Sequence, residues 1–170
     1  MNPVRRTVLL LSLLAVVAYG LYFAVTREHT LRHGALVLLE LAPRDPRSLL
    51  QGDYMDLRYT ITNDLPPTAL PTTGYLFLVT NGRGEVTAVR PGVDLADLRA
   101  DELPLTYRLR GSGWRGGERM LLGAESYFFE EGLADTFARA RYGGLRLDGK
   151  GGSVLAGLYD ADLQLIDPAR

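Results

Sequence analysis

The chain has 170 residues, 46% of them hydrophobic and 23% charged, which excludes a disordered chain and suits one anchored domain with a real core. Its net charge is −1, and −3 once Arg5 and Arg6 are set aside, so there is no reason to expect nucleic acid as a partner. With no cysteine and a single lysine, Lys150, disulfides, thiol catalysis and cysteine-ligated metals are excluded, and lysine-dependent chemistry has one candidate.

From Thr7 to Thr26 run 20 residues without a charge, mostly Leu, Val and Ala. A helix of that length, rising 1.5 Å per residue, spans about 30 Å, the thickness of a bilayer's hydrocarbon core. Arg5, Arg6 and the free amine precede it, and Arg27, Glu28 and Arg32 follow. The positive-inside bias then puts the N-terminus in the cytoplasm and the rest of the chain outside, with Tyr19 and Tyr22 near an interfacial aromatic belt. A cleaved signal peptide competes, with a small-residue site at Val16-Val17-Ala18, but the apolar run continues through Gly20 to Val25, past the point where a signal peptide turns polar.

This gives an anchor over 1–26, a polar juxtamembrane link over 27–34 and an exported domain over 35–166. Within the link, His29 and His33 share a helix face and in principle a metal. Two histidines make an incomplete site and the chain has no third, so the link reads as a solvated stalk, and no metal or other cofactor is expected.

The domain reads as mainly β. Ala35 to Leu41 is a leucine-rich strand, and Asp45-Pro46 marks a turn. After Gly52, alternation puts Met55, Leu57, Tyr59 and Ile61 on one face and Tyr54, Asp56, Arg58, Thr60 and Thr62 on the other. Asn63 to Pro71 is a loop, Tyr75 to Thr80 a central strand apolar on both faces, and Asn81-Gly82-Arg83-Gly84 a hairpin turn into the strand Glu85 to Arg90. A helical turn over 94–98, a strand at Leu105, Tyr107 and Leu109, a loose connection over 111–117 and a strand over Arg119 to Leu122 follow. Helical spacing over 131–141 puts Leu133, Phe137 and Ala140 on one side. Leu145 and Leu147, the turn Asp148 to Gly152 and Val154 to Tyr159 make a last hairpin. About seven to nine short strands with one short helix suggest a small sandwich or partly open barrel.

Two blocks concentrate distinctive residues. Asp45-Pro46-Arg47-Ser48-Leu49 followed by Gly52-Asp53-Tyr54, Leu57 and Tyr59 resembles the bacterial membrane-anchored family named after its GDYxxLxY motif, and Glu125-Ser126-Tyr127-Phe128 with Glu131-Gly132 resembles the same family's C-terminal half. The resemblance implies a single-span, exported β-rich protein found beside multi-pass membrane proteins, one of which is then the expected partner. It implies no chemistry.

Taken physically, Gly52 supplies a φ above zero, Asp53 bonds the amides of the preceding loop, and Leu57 and Tyr59 face the core, where the Tyr59 hydroxyl needs a partner. Asp45, Pro46, Arg47 and Gly132 belong with these as fold-making positions, and Glu131 suits the start of the following helix. Phe128 or Phe129 must be buried. Tyr54, by parity, sits on the wet side. A functional reading gathers Asp53, Tyr54, Tyr127, Glu130 and Glu131 round one shallow binding site. The leading expectation is a non-enzymatic accessory or ligand-binding module with no catalytic residues of its own.

Two alternatives stand beside it. Leu49, Gly52 and Asp53 before a hydrophobic strand are similar to the region after the nucleophile of bacterial type I signal peptidases. The nucleophile there falls on Arg44, which cannot be deprotonated, so this kinship implies a noncatalytic version. Ser48 with Lys150 is a formal dyad only. The other alternative is a structural envelope protein.

Overall fold

The computed structural model describes residues 3–42, 54–65, 70–112, 116–130 and 132–167. Its longest element is the helix α1, Pro3–His33. Along the apolar run the side chains are uncovered, with Leu10, Leu14, Val16, Tyr19 and Tyr22 each at least 65% exposed. A helix apolar all round and unburied by its own chain is long and apolar enough to cross a membrane.

The rest is mainly β. The strands are β1 (Ala35–Glu40), β2 (Tyr54–Asp56), β3 (Thr73–Thr80), β4 (Val86–Gly92), β5 (Leu103–Ser112), β6 (Gly116–Leu121), β7 (Ser126–Phe128), β8 (Tyr142–Leu147) and β9 (Ser153–Tyr159). Three short helical elements among the described residues interrupt them, α2 (Ile61–Asp64), a 3-10 turn over Leu95–Asp97 where a helical turn was expected, and α3 (Ala134–Phe137). All pairings are antiparallel within three sheets, ordered β4-β3-β5-β6, β1-β8-β9 and β2-β7. Single bridges join the larger two: Leu38 lies beside Glu85, and Leu105 beside Gly151. The result is a curled half-barrel rather than two stacked sheets.

Alternation along these strands fills the concave side with Val37, Leu39, Leu76, Leu78, Leu105, Tyr107, Leu145 and Leu158. The turns follow side-chain chemistry. Asn81 Oδ1 accepts from the amides of Arg83 and Glu85 between β3 and β4, and Asp148 Oδ1 accepts from those of Lys150 and Gly152 between β8 and β9.

Three expectations need correcting. The polar segment after the apolar run is largely exposed, as a solvated stalk would be, but it is not solvated throughout. α1 continues unbroken to His33, Thr30 and Gly34 are buried, Arg27 Nη1 donates to the Ser153 carbonyl at 2.8 Å, and Arg146 Nη1 donates to the Gly34 carbonyl at 2.9 Å. The strand expected through Thr62 stops earlier, because the Tyr59 carbonyl takes the Thr62 amide and hydroxyl and starts α2. The helix expected over 131–141 is a single turn, α3, since Arg141 already donates its amide to the Tyr159 carbonyl as β8 begins.

The convex face carries a small cluster of its own. Phe77 is fully buried although it points away from the main core. The Arg90 guanidinium lies over its ring, 4.7 Å from the centroid, and is held there by Glu102, which accepts from Arg90 Nε at 3.0 Å and Nη2 at 2.7 Å. The Arg99 amide also donates to Glu102. Hydrogen bonds from Arg90, ahead of the other groups nearby, hold the Glu102 carboxyl below the usual glutamate range. A depressed carboxyl stabilises the fold fully above the ordinary glutamate pKa and loses that contribution as the pH falls through the lowered value. In thermal unfolding of the full chain in mild detergent, Glu102→Gln is expected to be less stable at neutral pH and to converge on the wild type in acid. Parallel curves throughout the acid range would show that the pair contributes nothing.

Candidate functional site

The two distinctive sequence blocks meet in space. β2 pairs with β7 so that Tyr54 lies opposite Phe128, Met55 opposite Tyr127 and Asp56 opposite Ser126. Beyond the ribbon, the Leu57 amide donates to the Glu125 carbonyl at 2.7 Å. The chain then crosses to the end of β1, where Leu41 bridges Tyr59 and the Ala42 and Thr60 amides bond the Arg58 and Glu40 carbonyls.

Tyr59 locks this arrangement. Its hydroxyl donates to the Ala124 carbonyl at 2.7 Å, so a residue of the first block holds the loop that leads into the second. Its ring lies against β8 at Gly143, where a Cβ would come within 2.9 Å of the ring, so only glycine leaves it room. Burial, and then the nearby Glu125 carboxylate, push the phenol far above the usual tyrosine range. Glu125 itself accepts from the backbone amides of Leu122 and Gly123, which shapes the turn that Tyr59 grips.

Parity sorts the ribbon. Met55 and Leu57 are buried, and Tyr127 is half-buried, its ring edge-on to Phe137 at 5.1 Å. Burial raises the Tyr127 phenol above its usual value. On the opposite face Tyr54 is 48% exposed and Phe128 is 74% exposed, their ring centroids 5.9 Å apart. Asp56 follows on the Tyr54 side, accepting from Arg119 Nη2 at 3.0 Å and from Arg58 Nε at 3.4 Å. An outward aromatic pair therefore sits beside a carboxylate held between two guanidinium groups.

Of the residues grouped by sequence, Tyr54 and Tyr127 lie on neighbouring strands but on opposite faces, so they do not share one surface. Glu130 is exposed beyond the end of β7, and Gly132 takes a φ of 89°, in the left-handed region that favours glycine. Asp45, Pro46, Arg47, Gly52, Asp53 and Glu131 lie outside the described residues, as do Arg44, Ser48 and Leu49. Phe128, Asp56 and Arg119 are the surface residues that the grouping missed. The signal for Phe128 was available, since an inward Tyr127 forces its strand neighbour outward. Arg119 had none, because it reaches Asp56 from another sheet.

His29 and His33 stack on one face of α1 with centroids 4.7 Å apart. No group of three or more metal-ligating side chains occurs among the described residues. Lys150 is exposed in the turn between β8 and β9. The outward face of the ribbon suits contact with another molecule: rigid aromatic rings offer large apolar area at low entropy cost, and the charged rim adds direction.

Tyr59→Phe removes the donor and leaves the buried Ala124 carbonyl unpaired, an expected loss of about 2 kcal/mol in denaturant unfolding. Because folding raises the phenol's pKa, the wild-type contribution is complete below the ordinary tyrosine range and fades as the pH climbs toward the raised value; the variant lacks that alkaline decline. Equal stability of the two proteins would mean that the loop is held by other contacts.

A family model described as GDYXXLXY protein matches residues 16–158, which include the second half of the apolar helix and both blocks. No curated protein and no solved structure matches the chain.

Proposed function

The chain belongs to the GDYXXLXY family, and from that premise we propose that it is a membrane-anchored, non-enzymatic accessory module, exported to the outer side of a cell membrane, that docks an integral membrane protein through Tyr54 and Phe128. The anchor reading is supported by α1, whose apolar run is uncovered and is flanked by Arg5 and Arg6 on its N-terminal side. Retention of α1 then holds the domain at the surface where such a partner presents its own exported loops.

The observation that carries the docking reading is the exposed pair itself. Beyond α1, the large apolar side chains left exposed among the described residues are Tyr54, Val93, Phe128 and Leu165. Tyr54 and Phe128 alone among these are aromatic, and they lie together on one face. They also sit where both family blocks converge, on a ribbon whose other face is fixed by the core. Isolated exposed apolar residues are ordinary on protein surfaces, whereas an adjacent aromatic pair beside paired charges is the composition of an interface hot spot.

The experiment uses the full chain, tagged at both ends, in its native membrane. A photo-crosslinking residue at position 128 is expected to give one discrete adduct with a membrane protein, and the same residue at Val93 none. Tyr54→Ala with Phe128→Ala should lower co-purification of that same protein at least tenfold, since a buried aromatic anchor contributes about 2 kcal/mol or more, while thermal stability stays unchanged. Equal adducts from both positions, or undiminished co-purification, would remove the docking reading. Loss of the N-terminal tag from the mature chain would remove the anchor reading.

A further inference from the structure

A second surface feature lies where the helix meets the half-barrel, and we infer that it binds the phosphate group of an anionic phospholipid headgroup. A cavity of about 420 Å³ opens between the start of β9, the edge of β5 and the loop after β6. It is lined by Arg27, Thr106, Arg108, Glu125, Gly151 and Ser153, among others.

Position argues for a lipid. Arg27 is the first charged residue after the uncharged run Thr7 to Thr26, which places it at headgroup level when α1 spans a bilayer. Its guanidinium touches both sides of that boundary. It lies 5.2 Å from the centroid of the Phe23 ring within the run, and it donates to the Ser153 carbonyl of the domain. The cavity is thus fixed beside the membrane surface rather than at the far end of the domain.

Chemistry argues for phosphate. A guanidinium has five N–H donors in a planar fork that matches phosphate oxygens. Only one Arg27 nitrogen is engaged by Ser153, and the Arg108 guanidinium, outside the β5 ladder, makes no hydrogen bond or ion pair with any described residue. The Thr106 hydroxyl adds a donor at the rim, whereas that of Ser153 already donates to the Leu122 carbonyl at 3.5 Å. Among the described residues of the lining Glu125 is the one carboxylate, and its Oε1 is already occupied by the amides of Leu122 and Gly123. Two arginines around one occupied carboxylate leave an excess of positive charge for an anion, and charge-assisted bonds to phosphate are among the stronger hydrogen bonds.

The proposal rests on α1 being a retained span, so the test begins with the full chain tagged at both ends. It is placed in phosphatidylcholine nanodiscs with and without phosphatidylglycerol, and retained lipid is read by native mass spectrometry. The wild type and Arg83→Gln, a control on the exposed turn between β3 and β4, are expected to retain phosphatidylglycerol in preference to phosphatidylcholine. Arg108→Gln should retain about tenfold less, and Arg108→Lys an intermediate amount.

Inorganic phosphate is the second arm. If it stabilises the detergent-solubilised chain in an Arg108-dependent way while phosphatidylglycerol is not retained, the phosphate site stands and its ligand comes from solution. No lipid preference and no phosphate effect, or equal retention by wild type and Arg108→Gln, would overturn the inference. So would an acidic protein that co-purifies through Arg108 in place of lipid. A mature chain without its N-terminal tag would instead overturn the span on which the inference depends.

Discussion

The hydrogen bond from Tyr59 to the Ala124 carbonyl is the contact on which the arrangement of the two family blocks depends. It spans 65 positions of sequence, and it is buried, so its partners have no water to turn to if it breaks. Around it, Leu41 fixes the Tyr59 backbone to the end of β1, Gly143 makes room for the ring, and Glu125 shapes the loop that the hydroxyl holds. The short ribbon β2-β7 has too few residues to be stable alone, since two-stranded pieces are marginal in water. It inherits its geometry from this lock. Once Met55, Leu57 and Tyr59 are committed inward, the period of two leaves Tyr54 and Phe128 no direction but outward.

Charge plays a different part. The exposed pairs of Asp56 with Arg58 and Arg119 are partly solvated and contribute little to stability. Their effect is to orient side chains beside the aromatic pair. The Arg90–Glu102 pair is more enclosed, and its use is to lay a flat cation over Phe77 on the face that the main core does not cover. Arg27 and Arg146 do neither: they spend a guanidinium bond each on backbone carbonyls and so join the helix to the sheet.

Much of this was legible in the sequence because it depends on local periodicity. The uncharged run, the mainly β domain, the turns at Asn81 and Asp148 and the outward parity of Tyr54 all follow from residues within a few positions of one another. What was not legible depends on pairs far apart. The convergence of the two blocks rests on strand pairing between 54–56 and 126–128, and the docking of Thr30 and Gly34 rests on carbonyls that receive arginines from elsewhere in the chain. Local signals also misled where hydrogen bonds competed with them. The alternation after Leu57 looked like strand until the Tyr59 carbonyl turned the chain, and the helical spacing of Leu133, Phe137 and Ala140 describes one turn packed on the core rather than a longer helix.

The unbroken passage from α1 through buried Gly34 into β1 has a mechanical consequence. With no swivel between helix and sheet, the compass bearing of the domain is set by the helix's own phase. One residue added within the exposed turns of α1 would rotate the whole half-barrel by roughly 100° about the helix axis and advance it by about 1.5 Å. The length of the apolar segment therefore sets the azimuth of the domain relative to the start of α1 as well as its distance from it, and with them the direction in which the aromatic pair points.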